Sequence, residues 1–320
     1  MSQFNLKSVI LGIEDTRGVS PAATSFYKLP ISGEIGLSVQ SNSESKNVLS
    51  DSRLANEDYQ TTRSVSGSIP ILADYKNVYF PLALGMGVPA TVTDNSDGTY
   101  TRVFTPLNCI KTASVQRRIS PLCAGDADFV ELFKGVGIDG WSINIEDEKL
   151  QVPMNAKGGT VTDSNDSGFT AIDESQAVKL SDTDIRKAHA VLTKGGSVYH
   201  LSNQLSLQIG NTINEQWYIG DGEFPSGLDF GFFTMGGSIA GVFDADFLKT
   251  AKDSGRSDFE VTFTSTANAK VKLTFTLTNV FLKYKTEPFK VGEKATLSFD
   301  WVSDIHSTVS ATLTNEVSAY

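Results

Sequence analysis

The 320-residue chain is 40% apolar and 20% charged, ordinary material for buried cores and, at roughly 150 residues per domain, room for two of them. Its 37 acids against 27 bases leave a net charge of −10, a poor basis for gripping nucleic acid, where affinity comes mainly from Lys and Arg neutralising phosphates. No basic stretch near Met1 leads into an apolar run, so no signal peptide is expected, and no window approaches the roughly 20 apolar residues of a membrane span.

Alternation of period two, the mark of half-buried strands, opens at Ile35-Gly36-Leu37-Ser38-Val39-Gln40. A polar, Ser/Asn-rich loop follows from Ser41 to Glu57. Asp74 is placed to cap a helix through Leu84, with Gly85 as its stop. Asp94 to Gly98 reads as a turn between strand-like segments. The two cysteines, Cys109 and Cys123, are too few for a secreted disulfide scaffold and read as reduced thiols in a cytoplasmic product; a bridge between them is the other possibility. The polar stretch from Gly158-Gly159 to Gly195-Gly196 reads as a connection, with a predicted helix in Ala177–Leu192 placing Ile185, Ala188 and Leu192 on one side. Asp244 starts another predicted helix, through Phe247, Leu248 and Ala251. Two long alternating runs, Phe259–Ser265 and Lys270–Tyr284, flank Asn268 as a hairpin. Strands dominate, so the class is mainly β.

The chain also repeats itself. At a shift of 170 positions, Ile35, Leu37 and Val39 fall on Leu205, Leu207 and Ile209, Gly67-Ser68-Ile69 on Gly237-Ser238-Ile239, and Asp74 on Asp244. Later the shift becomes 145, with Val152 and Met154 on Leu297 and Phe299, which implies an insertion in the first copy between Gly85 and Ala127. The resulting plan is a first module at 1–160 with an N-terminal arm, a linker at 161–196 and a second module at 197–320.

Several stretches resemble the tail tube proteins of long-tailed phages. They are Gly12–Pro21 leading into Phe26–Pro30, the loop Ser41–Glu57, Ser64–Ile69 running into the Asp74–Leu84 helix, Tyr100–Pro106, and the pair Val136–Ile145 and Lys149–Ala156. None of these is catalytic; their order carries the resemblance, over about the first 160 residues. It implies two tandem β-sandwich or partial-barrel modules, each with a flanking helix, that give strands to an inner barrel shared between subunits. It further implies a non-enzymatic virion protein stacked in rings around a DNA channel, assembled in the host cytoplasm. Two modules per chain would make each ring a homotrimer with pseudo-sixfold symmetry; one module would make it a hexamer. The implied partners are other copies of the chain, a tape measure protein, a tail terminator and baseplate or tip proteins. A receptor- or carbohydrate-binding β-sandwich of a fibre or baseplate is the competing reading, marked by a concave aromatic patch without polymerisation.

The arm Ser8–Ser25, the loop Ser41–Glu57 and its counterpart Asn211–Leu228 are candidates for ordering on docking between rings. Within the last, Trp217, Tyr218 and Phe224 are candidate interface anchors, or else cover their own domain's core. An acidic lining would let DNA slide without counterion release, so Glu146, Asp147, Glu148 and Glu293 are candidate lumen residues, although hairpin ends equally suit outside water. Catalytic and cofactor motifs are missing from the sequence, and His189, His200 and His306 lack metal-type spacing. Asp163-Ser164-Asn165-Asp166-Ser167-Gly168 with Glu174 fits the spacing of a calcium loop, but Gly158-Gly159 stands where the entering helix should be, and the plain reading is a solvated loop.

Overall fold

The computed structural model describes residues 4–45, 58–121, 127–145, 149–180, 182–199, 202–220, 222–242, 248–249, 252, 255–285 and 296–320. The first half is built from β1 (Phe4–Ile13), β2 (Tyr27–Lys28), β3 (Ser38–Ser45), β4 (Asp58–Leu72), α1 (Tyr79–Met86), β5 (Val92–Asp94), β6 (Tyr100–Phe104), β7 (Ala113–Pro121), β8 (Phe129–Asn144) and β9 (Gln151–Lys157). Then come β10 (Thr160–Asp163), β11 (Val178–Lys179), β12 (Ala190–Lys194) and β13 (Ser197–Val198). The second half comprises β14 (Ser202–Gly210), β15 (Ile213–Gln216), β16 (Gly227–Phe230), β17 (Thr234–Val242), β18 (Arg256–Thr264), β19 (Lys272–Lys285), β20 (Thr296–Val302) and β21 (Thr308–Asn315). The alternation seen in sequence becomes alternating burial: along β19, Leu273, Phe275 and Leu277 are buried and the threonines between them face outward. At Asn268 the side chain accepts the Lys270 amide, an Asx turn that closes the β18–β19 hairpin.

The halves repeat the same pairings in the same register. In the first, the Gly36 amide donates to Ser68 O at 2.9 Å, continuing the β3–β4 ladder; in the second, β14–β17 sets Ser206 opposite Ser238, the same pair shifted by 170. β4–β9 pairs Gly67 with Ala156, and β17–β20 pairs Gly237 with Trp301. β7–β8 sets Ala113 opposite Val136 and Val115 opposite Phe133, with a bulge between. β18–β19 sets Ser257 opposite Val280 and Phe259 opposite Leu277, with a bulge at the same place. β1 flanks β7 as β12 flanks β18, and β10 flanks β8 as β21 flanks β19. Register fixes which face every side chain takes, so agreement over these five ladders is repetition of a fold and not of composition. The insertion in the first copy contains the β5–β6 hairpin, which reaches across to pair with β21. The segment expected as a linker at 161–196 is divided between the halves, since β10 adds to β8 and β12 to β18.

Two helix expectations need correction. Asp74 does cap, its Oδ1 accepting the amides of Lys76 (2.8 Å) and Asn77 (2.7 Å), but it caps a turn, and α1 begins only at Tyr79. The helix runs through Gly85 and stops at Gly87, whose φ of 120° breaks the helical path. Gly85 is a packing residue, with the Trp141 indole lying where a Cβ would be. Among the described residues of 177–192 there is no α-helix; Val178–Lys179 and Ala190–Lys194 are extended, with a single 3₁₀ turn at Lys187–His189. Ile185 is nonetheless buried, and it joins a hydrophobic core that runs through both halves. The second helix expected after Asp244 lies largely outside the described residues.

Candidate assembly surface

β8 is long enough to serve two sheets. Its first part lies between β7 and β10, its last part between β9 and β14. The second pairing joins the halves: Gly140 stands opposite Gly210, Trp141 opposite Ile209, Ser142 opposite Gln208 and Asn144 opposite Ser206. An antiparallel sheet of eight strands results, in the order β3-β4-β9-β8-β14-β17-β20-β19. At the junction Asp139 is an extra residue in β8 relative to β9, and its backbone and side chain accept the amides of Asn211 and Ile213, both at 2.7 Å. Gly140 beside it has the Ile209 carbonyl where a Cβ would be, so β14 closes on β8 because that residue is glycine.

The two faces of this sheet differ sharply. Leu37, Val65, Ile69, Val152, Met154, Trp141, Leu207, Ile239, Phe299 and Trp301 point into the core. The other face carries hydroxyls and amides: Ser38, Gln40, Ser64, Ser66, Ser68, Ser142, Asn144, Asn155, Gln204, Ser206, Gln208, Ser238 and Ser298, with Ser206 and Ser238 hydrogen-bonded across strands at 2.9 Å. Asp300 stands directly opposite Lys283, so two of the few charges there are of opposite sign. The outer lateral edges are open. Among the described residues no strand pairs with the free side of β3, where Leu37 O accepts from Arg117 Nη1 at 2.8 Å, nor with Lys283–Lys285 on the side of β19 away from β20.

The β15–β16 hairpin, the counterpart of the Ser41–Glu57 loop, is folded back onto the first half. Leu228 fills the space left by Gly137 and Gly158, and Lys157 Nζ donates to Ile213 O at 2.8 Å. Ser64 donates to Glu215, and Arg63 pairs with Glu223. Arg17 donates to the carbonyls of Pro225 (2.9 Å) and Ser226. Arg17 is itself set by Glu14, a buried carboxylate in the same turn that accepts from the Gly18 and Gly135 amides and the hydroxyls of Thr112 and Ser114. The arm Ser8–Ser25 is therefore ordered within the chain, as are the described residues of Asn211–Leu228: β1 is a full strand beside β7, and its following turn clamps the hairpin. At the hairpin tip Trp217 is 38% and Tyr218 62% exposed, followed by a fully exposed Ile219; Phe224 is half-buried beside the buried Pro225.

The remaining candidates fall elsewhere. Glu146, Asp147, Glu148, Glu293, His200, Cys123 and residues 46–57 lie outside the described residues. The Asp163–Gly168 segment is a turn closed on itself: Asp163 Oδ1 accepts the Asn165 amide, and Asp166 Oδ2 accepts the Asp163 amide. Glu174 turns away from it to Arg118 at 2.8 Å, Ser8 at 2.5 Å and Gln116 at 3.2 Å. His189 stacks on Tyr75. No group of three or more His, Cys, Asp or Glu gathers among the described residues to hold a metal. Sequence reasoning missed the C-terminus. Tyr320 stacks on Tyr79 at 3.8 Å, and its hydroxyl donates to Lys76 O at 2.7 Å, so the last residue of the second half is seated beside the helix of the first. Burial raises its phenol well above the ordinary tyrosine value.

A family model described as phage tail tube protein matches residues 5–312. No curated protein matches the chain.

Proposed function

The chain belongs to the phage tail tube protein family, and on that premise we propose that it closes into trimeric rings which stack into the tube that conducts the genome. The observation that carries this reading is the eight-stranded sheet, apolar on one side, hydroxyl-rich on the other and open at both ends. Open edges are a liability in a finished protein and are removed when a barrel closes. Because the two open edges differ, chains join head to tail, and such contacts make rings when the rotation closes. Three chains give about 24 strands, wide enough for a channel. The modules are then 1–160 and 197–320, with 161–196 shared between them.

The hydroxyl and amide face lines the channel in this arrangement. Its described strand positions carry mostly uncharged polar groups, with Lys157, Lys283, Lys285 and Asp300 as charged positions among them, and the acidic candidates Glu146, Asp147, Glu148 and Glu293 lie outside the described residues. Neutral polar groups release no counterions and hold no phosphate, so DNA slides past them. The exposed tip at Trp217, Tyr218 and Ile219 faces an adjoining ring. Tape measure, terminator and tip proteins complete the tail, assembled in the host cytoplasm. Electron microscopy of the purified chain tests the reading: hollow cylinders with threefold top views are expected, whereas discrete monomers at high concentration, with and without a tip complex to initiate growth, would overturn it.

A further inference from the structure

We propose that β3 of one chain adds to the free edge of β19 of a second copy in one register, Ser38 opposite Lys285 and Val39 opposite Tyr284, the register β14 and β8 already hold inside the chain. The inference rests on the tube reading and deepens it by fixing the lateral contact. The internal template is explicit: β14 pairs with β8 through Gln208 opposite Ser142 and Ile209 opposite Trp141. The repeat carries Gln208 and Ile209 onto Ser38 and Val39 at the shift of 170. It carries Trp141 onto Tyr284, since Trp141 pairs with Met154 in β9 and Tyr284 pairs with Phe299, the repeat of Met154, in β20. Among the described residues neither edge has a strand partner, and the exposure of the donor strand agrees. Ile209, covered by β8, is 4% exposed, while Val39, its counterpart with no strand beyond it, is only half-buried.

The two junctions are not identical. β19 lacks the extra residue at Asp139, and Phe281 occupies the position of Gly137. The niche that takes Leu228 inside the chain is therefore filled between chains, so strand pairing alone carries the second junction. Six module contacts around a ring alternate between clamped and unclamped, which makes the true symmetry threefold.

Cysteine pairs test the register. In a Cys109→Ser, Cys123→Ser background, Ser38→Cys with Lys285→Cys should oxidise within assembled tubes and give covalent trimers on a non-reducing gel. Its template, Ser142→Cys with Gln208→Cys, should give an intrachain bridge without multimers. Both sit at narrow, non-hydrogen-bonded sites of their ladders, inferred from the Ile145–Leu205 and Asn211–Asp139 hydrogen bonds, where side chains approach closely enough for a disulfide. Tubes in which Gln40→Cys with Lys285→Cys crosslinks and Ser38→Cys with Lys285→Cys does not would overturn the register but leave the tube reading standing. If the variants do not assemble, amide exchange on wild-type tubes decides, because absent protection of the Val39 and Tyr284 amides relative to free chain would overturn the pairing. Crosslinked ladders ending at six chains would keep the register and overturn the trimer.

Discussion

Gly67 and Gly237 occupy the same place in the two halves, each with a backbone carbonyl, of Gly36 and of Ser206 respectively, standing where its Cβ would be. Each glycine sits on the core side of a central strand, where β3 and β14 press close. A methyl group has no soft neighbour to displace, and at Gly67 the φ of 145° adds backbone strain. Gly67→Ala and Gly237→Ala should each cost about 1–3 kcal/mol, the range for forcing atoms into a packed interior. Urea unfolding of the free chain measures this, and a wild-type midpoint for either variant would show that the close approach is not maintained in solution.

The clamp on the β15–β16 hairpin gives a local prediction. Arg17→Ala removes two charge-assisted hydrogen bonds to Pro225 and Ser226, while Leu228 stays in its niche. Amides of Asn214–Gln216 should then exchange about tenfold faster or more, as local opening becomes easier, with those of β7 and β8 unchanged. Uniform acceleration throughout would mean that Arg17 supports the whole fold and not the hairpin.

The repeat was legible because hydrophobic alternation survives divergence: Leu37 and Leu207 keep their core positions although their neighbours differ. The helix expected in Ala177–Leu192 rests on the helical spacing of Ile185, Ala188 and Leu192, and short apolar runs do not distinguish a helix from the strand found at Ala190–Lys194. The β8–β14 junction could not be read at all. Its marks, a bulge at Asp139 and a glycine at 140, are local features whose meaning depends on a strand about 70 residues away, at the far side of a loop closure that leaves no periodicity. Glu14 likewise looked like part of a surface arm; only its four hydrogen-bond donors make it a buried carboxylate.

If the hydroxyl face lines the channel, positive charge there should trap DNA. Ser238 faces that side, hydrogen-bonded to Ser206 midway along the sheet. Ser238→Lys would place a ring of ammonium groups in the lumen, each able to release a counterion from passing DNA. Virions carrying the variant should eject more slowly at low salt and recover as salt rises, while Ser238→Thr behaves as wild type. Ejection kinetics followed by dye binding to released DNA supply the measurement, and salt-independent rates for the lysine variant would remove this face from the lumen.

Acid should loosen the sheet that contains β1 and β7. Burial pushes the Glu174 carboxyl upward, but hydrogen bonds from Arg118 and Ser8 outweigh it and leave the group below the ordinary glutamate value. Asp128, near the surface, is held at about 2 by Ser120, Arg118 and Lys7. Both carboxylates thus bind protons more weakly folded than unfolded, so the stability they contribute is complete above their unfolded range and is lost as pH falls through the folded values, between about 4.5 and 2. Arg118 serves both acids, so protonating one leaves the other's hydrogen bond in place and the loss is gradual. Glu174→Gln keeps the shape but removes one titration. It should melt below wild type at pH 7 and lose less between pH 4.5 and 2.5, as scanning calorimetry of the free chain would show. Parallel pH profiles would place the acid sensitivity elsewhere.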